Sequence, residues 1–185
     1  MIDDILQDIR EAMDKSISAY TRELAKIRTG RANLSILDGV RVDYYGTPTP
    51  LNQLATLSVP ESRLIVIQPY DKNSISEIEK SIMKNELGLN PTSDGRVVRI
   101  AFPALTEDRR KELVKLVKKM NEDCKIQLRH HRREANEMLK DLEKEKEISE
   151  DDFHKAQDRV QKIIDEYSSK ADDILTRKEK EIMEV

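Results

Sequence analysis

The sequence predicts an α+β protein: an elongated antiparallel three-helix bundle with a small β/α/β domain inserted into it. Two observations carry this reading. All five glycines (30, 39, 46, 88, 95) and all six prolines (48, 50, 60, 69, 91, 103) fall between residues 30 and 103. Glycine costs about 1 and proline about 3 kcal/mol in a helix interior, so the flanks that lack both read as helical. Those flanks also repeat apolar residues every third or fourth position, the period of a helix with one buried face.

In the first helix the stripe is Ile5, Ile9, Met13, Ile17, Tyr20, Leu24 and Ile27. The second runs through Leu113, Val117, Met120, Cys124, Leu128, His131, Ala135, Met138 and Leu142, with Thr106 as its N-cap. It would be roughly 60 Å long at the helical rise of about 1.5 Å per residue, so the bundle is a rod. The third begins at "ISEDDF", where Ser149 caps, Asp152 occupies the capping-box position, and Ile148 and Phe153 are spaced as a hydrophobic staple. Its stripe is Phe153, Ala156, Val160, Ile163, Tyr167, Ala171, Ile174 and on toward Ile182. No single face of this polarity is stable alone, and three close on one another as a bundle.

The insert has strand grammar in "VRVDYY" (40–45), "RLIVIQ" (63–68) and "VVRIAF" (97–102). A short helix covers 74–87, with a Ser74–Glu77 capping box, and "GTPTP" and "LGLNP" read as turns. The domains are therefore 1–29 plus 106–185 for the bundle and 30–105 for the insert. The chain leaves the bundle at Thr29, Gly30 and Arg31 and returns at Ala104, Leu105 and Thr106, two crossings that make a hinge. Gly30, in "KIRTGRAN", reads as the left-handed residue after a helix end.

Composition excludes several classes. The 185 residues carry 37% charged and 4% aromatic side chains, with a net charge of −3. Indiscriminate coating of nucleic acid is excluded, and any RNA contact must come from a local basic patch. One cysteine, Cys124, leaves no internal disulfide and no zinc cluster. "MIDDILQDIR" is acidic and periodic, unlike a signal peptide, and no apolar run approaches the roughly 18 residues of a membrane span. A cytoplasmic protein is expected.

Charge is unevenly placed. Residues 106–133 hold ten Lys or Arg against five acids, and residues 134–185 hold ten against seventeen. Lys125, Arg129 and Arg133 share a helix face that points away from the apolar stripe, with Arg132 nearer its edge. Arginine forks match phosphate in a bidentate way, so this face suits RNA phosphates. A solvated face paired with Glu122 and Glu137 is the alternative, and spacing alone favours it. His131 and Cys124, on the stripe, read as core residues, and exposed His130 cannot easily share a metal with its neighbour. Glu150, Asp151 and Asp152 complement a helix N-terminus. Tyr44 and Tyr45 read as sheet packing rather than base stacking. No nucleophile elbow, phosphate loop, HExxH pair or dinucleotide turn appears, so no catalytic residue, cofactor or metal is expected.

"KIRTGRA" (26–32), "YYGTPTPLNQLA" (44–55), "LGLNP" (87–91), "LTEDRRKEL" (105–113), the Arg-rich 129–133 segment and "EISEDD" (147–152) occur in order along the whole chain. Together they resemble the bacterial ribosome recycling factor family. The resemblance implies an L-shaped monomer whose two domains meet at a two-strand hinge. It implies binding to the post-termination ribosome. With elongation factor G and its GTP hydrolysis, the family splits the subunits and releases mRNA. The helical domain would lie on large-subunit rRNA near the peptidyl-transferase region, with Arg129 and Arg132 as contacts and Arg28, Arg31, Arg110 and Arg133 as further candidates. This chain departs from the family in carrying His130 and His131 where Asn and then Val or Ile are usual. The rival expectation is a helical protein-binding scaffold, with the acidic third helix engaging a basic partner.

Overall fold

The computed structural model describes residues 1–85 and 88–184. Glu86 and Leu87, the end of the predicted 74–87 helix and the start of the "LGLNP" turn, lie outside the described residues, as does Val185. The chain divides into two compact units, residues 1–29 with 106–185 and residues 30–105.

Unit one is built of long helices α1 (Ile2–Ala25), α4 (Glu107–Lys144) and α5 (Glu150–Met183). Cross-helix bonds fix their directions. Asp3–Arg159, Asp14–Tyr167 and Thr29–Glu181 ascend together, so α1 and α5 are parallel. Lys118–Glu179, Lys125–Asp172 and Arg132–Gln161 run oppositely, so α4 is antiparallel to both. Leu6, Ile9, Met13, Leu128, Leu139, Val160 and Ile163 are among the residues of its apolar core. The α4 stripe differs from the predicted one at its far end. Met138 is half exposed while Leu139, one residue on, is fully buried, because Leu139 returns to the line of Leu128 and Ala135 that faces the helix junction.

The caps at Thr106 and Ser149 form, accepting from the backbone N–H of Arg109 at 3.2 Å and of Asp152 at 3.0 Å. The α4–α5 turn ends in a motif that no glycine advertises. Lys146 is left-handed (φ 60°), its N–H bonds the Glu143 carbonyl, and the Glu147 N–H reaches back to Leu142. That is a Schellman closure with lysine in the glycine position. A left-handed L-residue costs roughly 1–2 kcal/mol. Lys146→Gly should therefore stabilise unit one by about 1 kcal/mol, readable as a raised urea midpoint.

α1 ends differently from expectation. It stops at Ala25, and the Lys26 and Ile27 N–H groups close onto Glu23 and Leu24. Gly30 is left-handed (φ 77°) but stands beyond that end, in the first turn of unit two. An added Cβ there would meet the Leu105 side chain at 3.4 Å and the Pro103 carbonyl at 3.5 Å, so both backbone angle and space favour glycine.

The described residues of unit two include two sheets and the helix α3 (Ile75–Lys84). Hairpin β1 (Arg41–Tyr44) and β2 (Thr47–Pro50) pairs Tyr44 with Thr47 across Tyr45 and Gly46. Both turn residues have positive φ (49° and 84°), the type I′ pattern that matches strand twist. "TPTP" is thus a strand, not a turn. In a two-residue hairpin the flanking pair is hydrogen-bonded and the pairs alternate, so Pro48 and Pro50 fall where no N–H is needed.

A one-turn helix, α2 (Leu51–Leu54), leads into β3 (Ala55–Glu61). β4 (Leu64–Pro69), β5 (Pro91–Ser93) and β6 (Val98–Ala101) complete an antiparallel sheet in the order β3-β4-β6-β5. Ile65, Ile67, Val98 and Ile100 from its centre meet Ile78 and Ile82 of α3 in a second core. The Ser74–Glu77 box does not form. Ser74 is already helical, and Asp71, three residues upstream, accepts from the Asn73 N–H instead.

Candidate RNA-binding surface

α4 is the element that positions the arginine group, and its rigidity follows from packing against α1 and α5 on one side. Arg129 is part-exposed, and its Nη2 lies 2.6 Å from Glu122 one layer earlier on the same helix. Arg132 leans toward α5, where Nη1 reaches Gln161 Oε1 at only 3.4 Å. Arg133 is exposed and pairs with no acid among the described residues. Lys125, expected on the same outward face, instead folds toward α5. It is 23% exposed and bonded to Asp172 at 2.7 Å. The structure therefore brings Arg129, Arg132 and Arg133 together and withdraws Lys125.

The remaining arginines are not part of this group. Arg110 lies in the first turn of α4, about 28 Å along the axis from Arg129, and its buried Nε has no partner. Arg28 is exposed beyond the end of α1, and Arg31 belongs to unit two. Both engage other groups.

Lys125 and Asp172 tie α4 to α5 beneath the arginines, with Asn121 Nδ2 also donating to Asp172 at 3.2 Å. The Lys125 hydrogen bond holds the Asp172 carboxyl below the usual carboxylate range, with Asn121 adding to it. A folded value below the unfolded one, about 3.9, gives stabilisation that is complete above that value and lost as pH falls through the folded one. Asp172→Asn should therefore remove part of the stability loss seen on acidification below about pH 4, measured by denaturant midpoints across pH.

His131 is half-buried between α1 and α4. Its Nδ1 faces Glu134 at 3.3 Å and its Nε2 faces the Ser16 hydroxyl at 3.1 Å. With Nδ1 donating to the carboxylate, Nε2 accepts from Ser16, which accounts for buried Ser16 in an apolar stripe. His130 is 65% exposed and contacts the other Glu134 oxygen at 3.3 Å. Cys124 is buried, which pushes its thiol up to about 11. Tyr45 is exposed in the hairpin turn and not packed on a sheet, and its hydroxyl reaches Asp71 at 3.2 Å, 3.4 Å being the distance from Tyr44. No group of metal-ligating side chains occurs among the described residues, and no described helix is long and apolar enough to cross a membrane.

One feature was missed by sequence reasoning. Beside the arginines, α4 and α5 enclose an open cleft of about 320 Å³. Arg132, Arg133, Asn136 and Lys140 line it from α4, with Phe153, Gln157 and Gln161 opposite. Asn136 Oδ1 is buried there without a partner, a state that costs about 1–3 kcal/mol. The spacing of Phe153, Gln157 and Gln161, four residues apart on one line of α5, was the available signal.

Residues 20–183 match the ribosome recycling factor family. The chain is 57% identical to the ribosome-recycling factor of Desulfatibacillum aliphaticivorans, with both proteins covered in full, and 57% identical to that of Bacillus pumilus, again over 100% of each. Among solved structures it is similar to a solution structure of the ribosome recycling factor (43% identity, TM-score 0.75, covering 100% of this chain and 98% of the other). It is also similar to the T. thermophilus ribosome recycling factor, described with the E. coli elongation factor G bound to the E. coli post-termination complex (42% identity, TM-score 0.63, both chains covered in full). With more than half of its residues shared along the entire length of such relatives, this chain belongs to the ribosome recycling factor family.

Proposed function

We propose that this chain binds the post-termination ribosome and, with elongation factor G and GTP, separates the subunits and releases mRNA. The observation that carries the reading is the family match over residues 20–183 coinciding with an arginine group on the rigid α4 helix. Arg129, Arg132 and Arg133 would grip large-subunit rRNA phosphates near the peptidyl-transferase region. Arg110, Arg28 and Arg31 would add contacts at the pivot end.

The role is mechanical. GTP hydrolysis belongs to the partner, and this chain acts as a cytoplasmic monomer with no reacting side chain of its own. Residues 29–31 and 104–106 form the hinge, letting unit two pass the motion of elongation factor G to the bridges between subunits. Gly30, left-handed and close to Leu105, supports a pivot at that point.

The test is light scattering of purified post-termination ribosomes with elongation factor G and GTP. Addition of the chain should cause subunit separation, which should fail without GTP. Sedimentation with isolated large subunits should show binding that weakens as salt rises, through counterion release. Absence of both would favour a protein-binding scaffold.

A further inference from the structure

We infer that the cleft between α4 and α5 captures a single unpaired nucleotide of the bound RNA, with its base against Phe153 and its phosphate on Arg132, Arg133 and Lys140. The inference rests on the rRNA-docking reading and specifies what that surface takes. The cleft's volume of about 320 Å³ is at the small end of ligand sites, which begin at roughly 300 Å³. Its lining carries three cations and one carboxylate, Glu137, so an anionic ligand is favoured.

Two further chemistries select a nucleotide over an acidic side chain. Phe153 is only partly buried. It packs against the bundle core and also lines the cleft, which leaves ring surface on which a base can stack. Beside it stands the amide of Gln157, offering a donor and an acceptor, the pattern of a base edge, while the Gln161 amide donates to Asp165 and accepts from Arg132. Asn136 Oδ1 is buried without a partner, and a base amino group is a donor that would supply one once the amide turns outward. Entry displaces little, because the Arg132–Gln161 bond across the cleft is 3.4 Å long. A base inside an A-form helix cannot reach such a site, so the ligand is an unstacked nucleotide from a loop or bulge.

Affinity for purified large ribosomal subunits tests this, together with dimethyl sulfate probing of their rRNA. The intact chain should protect a base nitrogen. Phe153→Leu, which keeps apolar packing and alters no charge, should weaken binding about tenfold, within the range of base–aromatic stacking, with the salt slope unchanged. Gln157→Ala, at a cleft position outside the core, should restore reactivity at the protected base. If both variants bind and protect like the parent while Arg132→Ala binds weakly, the cleft holds no base although docking stands. If only Lys140→Gln and the arginine variants lose affinity, the cleft takes phosphate alone and the inference is likewise overturned. Failure of the parent chain to bind large subunits would remove the docking reading itself.

Discussion

Arg132→Ala is expected to weaken binding to the large ribosomal subunit tenfold or more. Hydrogen bonds to charged groups contribute about 1.5–3 kcal/mol, and about 1.4 kcal/mol is a factor of ten in affinity. At Arg132 that contribution is readily available. Its contact with Gln161 is long and uncharged at the acceptor, so little is surrendered when it turns to a phosphate. Arg129 differs, because a 2.6 Å ion pair with Glu122 must break or be shared first. Arg129→Ala should therefore cost less than Arg132→Ala, and Glu122→Gln should tighten binding at low salt by releasing Arg129. Lys125→Ala should act mainly on stability, since its ammonium is committed to Asp172. Titration of labelled subunits, with circular dichroism as the folding control, orders the four variants. An unchanged affinity for Arg132→Ala in a folded protein would take Arg132 out of the interface.

The two helical flanks were readable because glycine and proline are absent from them and their apolar residues repeat with the helical period. Their caps were readable too, since Thr106 and Ser149 each stand immediately before such a pattern. The insert was harder, for reasons of pairing. Pro48 and Pro50 signal a turn by composition, yet their two-residue spacing places both on pairs that need no N–H, a property of register and not of residue type. β3 alternates Ala55, Leu57 and Val59 with Thr56 and Ser58, but Pro60 inside the run argues against a strand, and the pairing with β4 is what makes it one. At Ser74, two capping residues stood three apart, and the upstream Asp71 prevailed. The arginine face was legible from α4 alone. The cleft was not, because it depends on which residues of α5 lie opposite Arg132, and so on the register between two helices whose facing residues are far apart in sequence. The same register draws Lys125 inward to Asp172.

Ile67→Ala should destabilise unit two by about 2–5 kcal/mol, the usual cost of a buried isoleucine lost to a cavity. Ile67 is fully buried at the middle of β4, paired with Leu57 on one side and Val98 on the other. No neighbour on a sheet can collapse far enough to fill the void. The apolar cluster containing Ile67 shares no residue with the cluster containing Leu128, so the loss should stay within unit two. Amide exchange should quicken in β3, β4 and β6 while α1, α4 and α5 keep their protection, and Leu128→Ala should produce the converse. Equal loss of protection in both units would mean that they fold as one body. The pair of variants also separates the functions proposed for the units. Ile67→Ala leaves the arginine group intact and should retain large-subunit binding while losing subunit separation. A variant that bound and split ribosomes normally with unit two unfolded would show that the bundle acts without a lever.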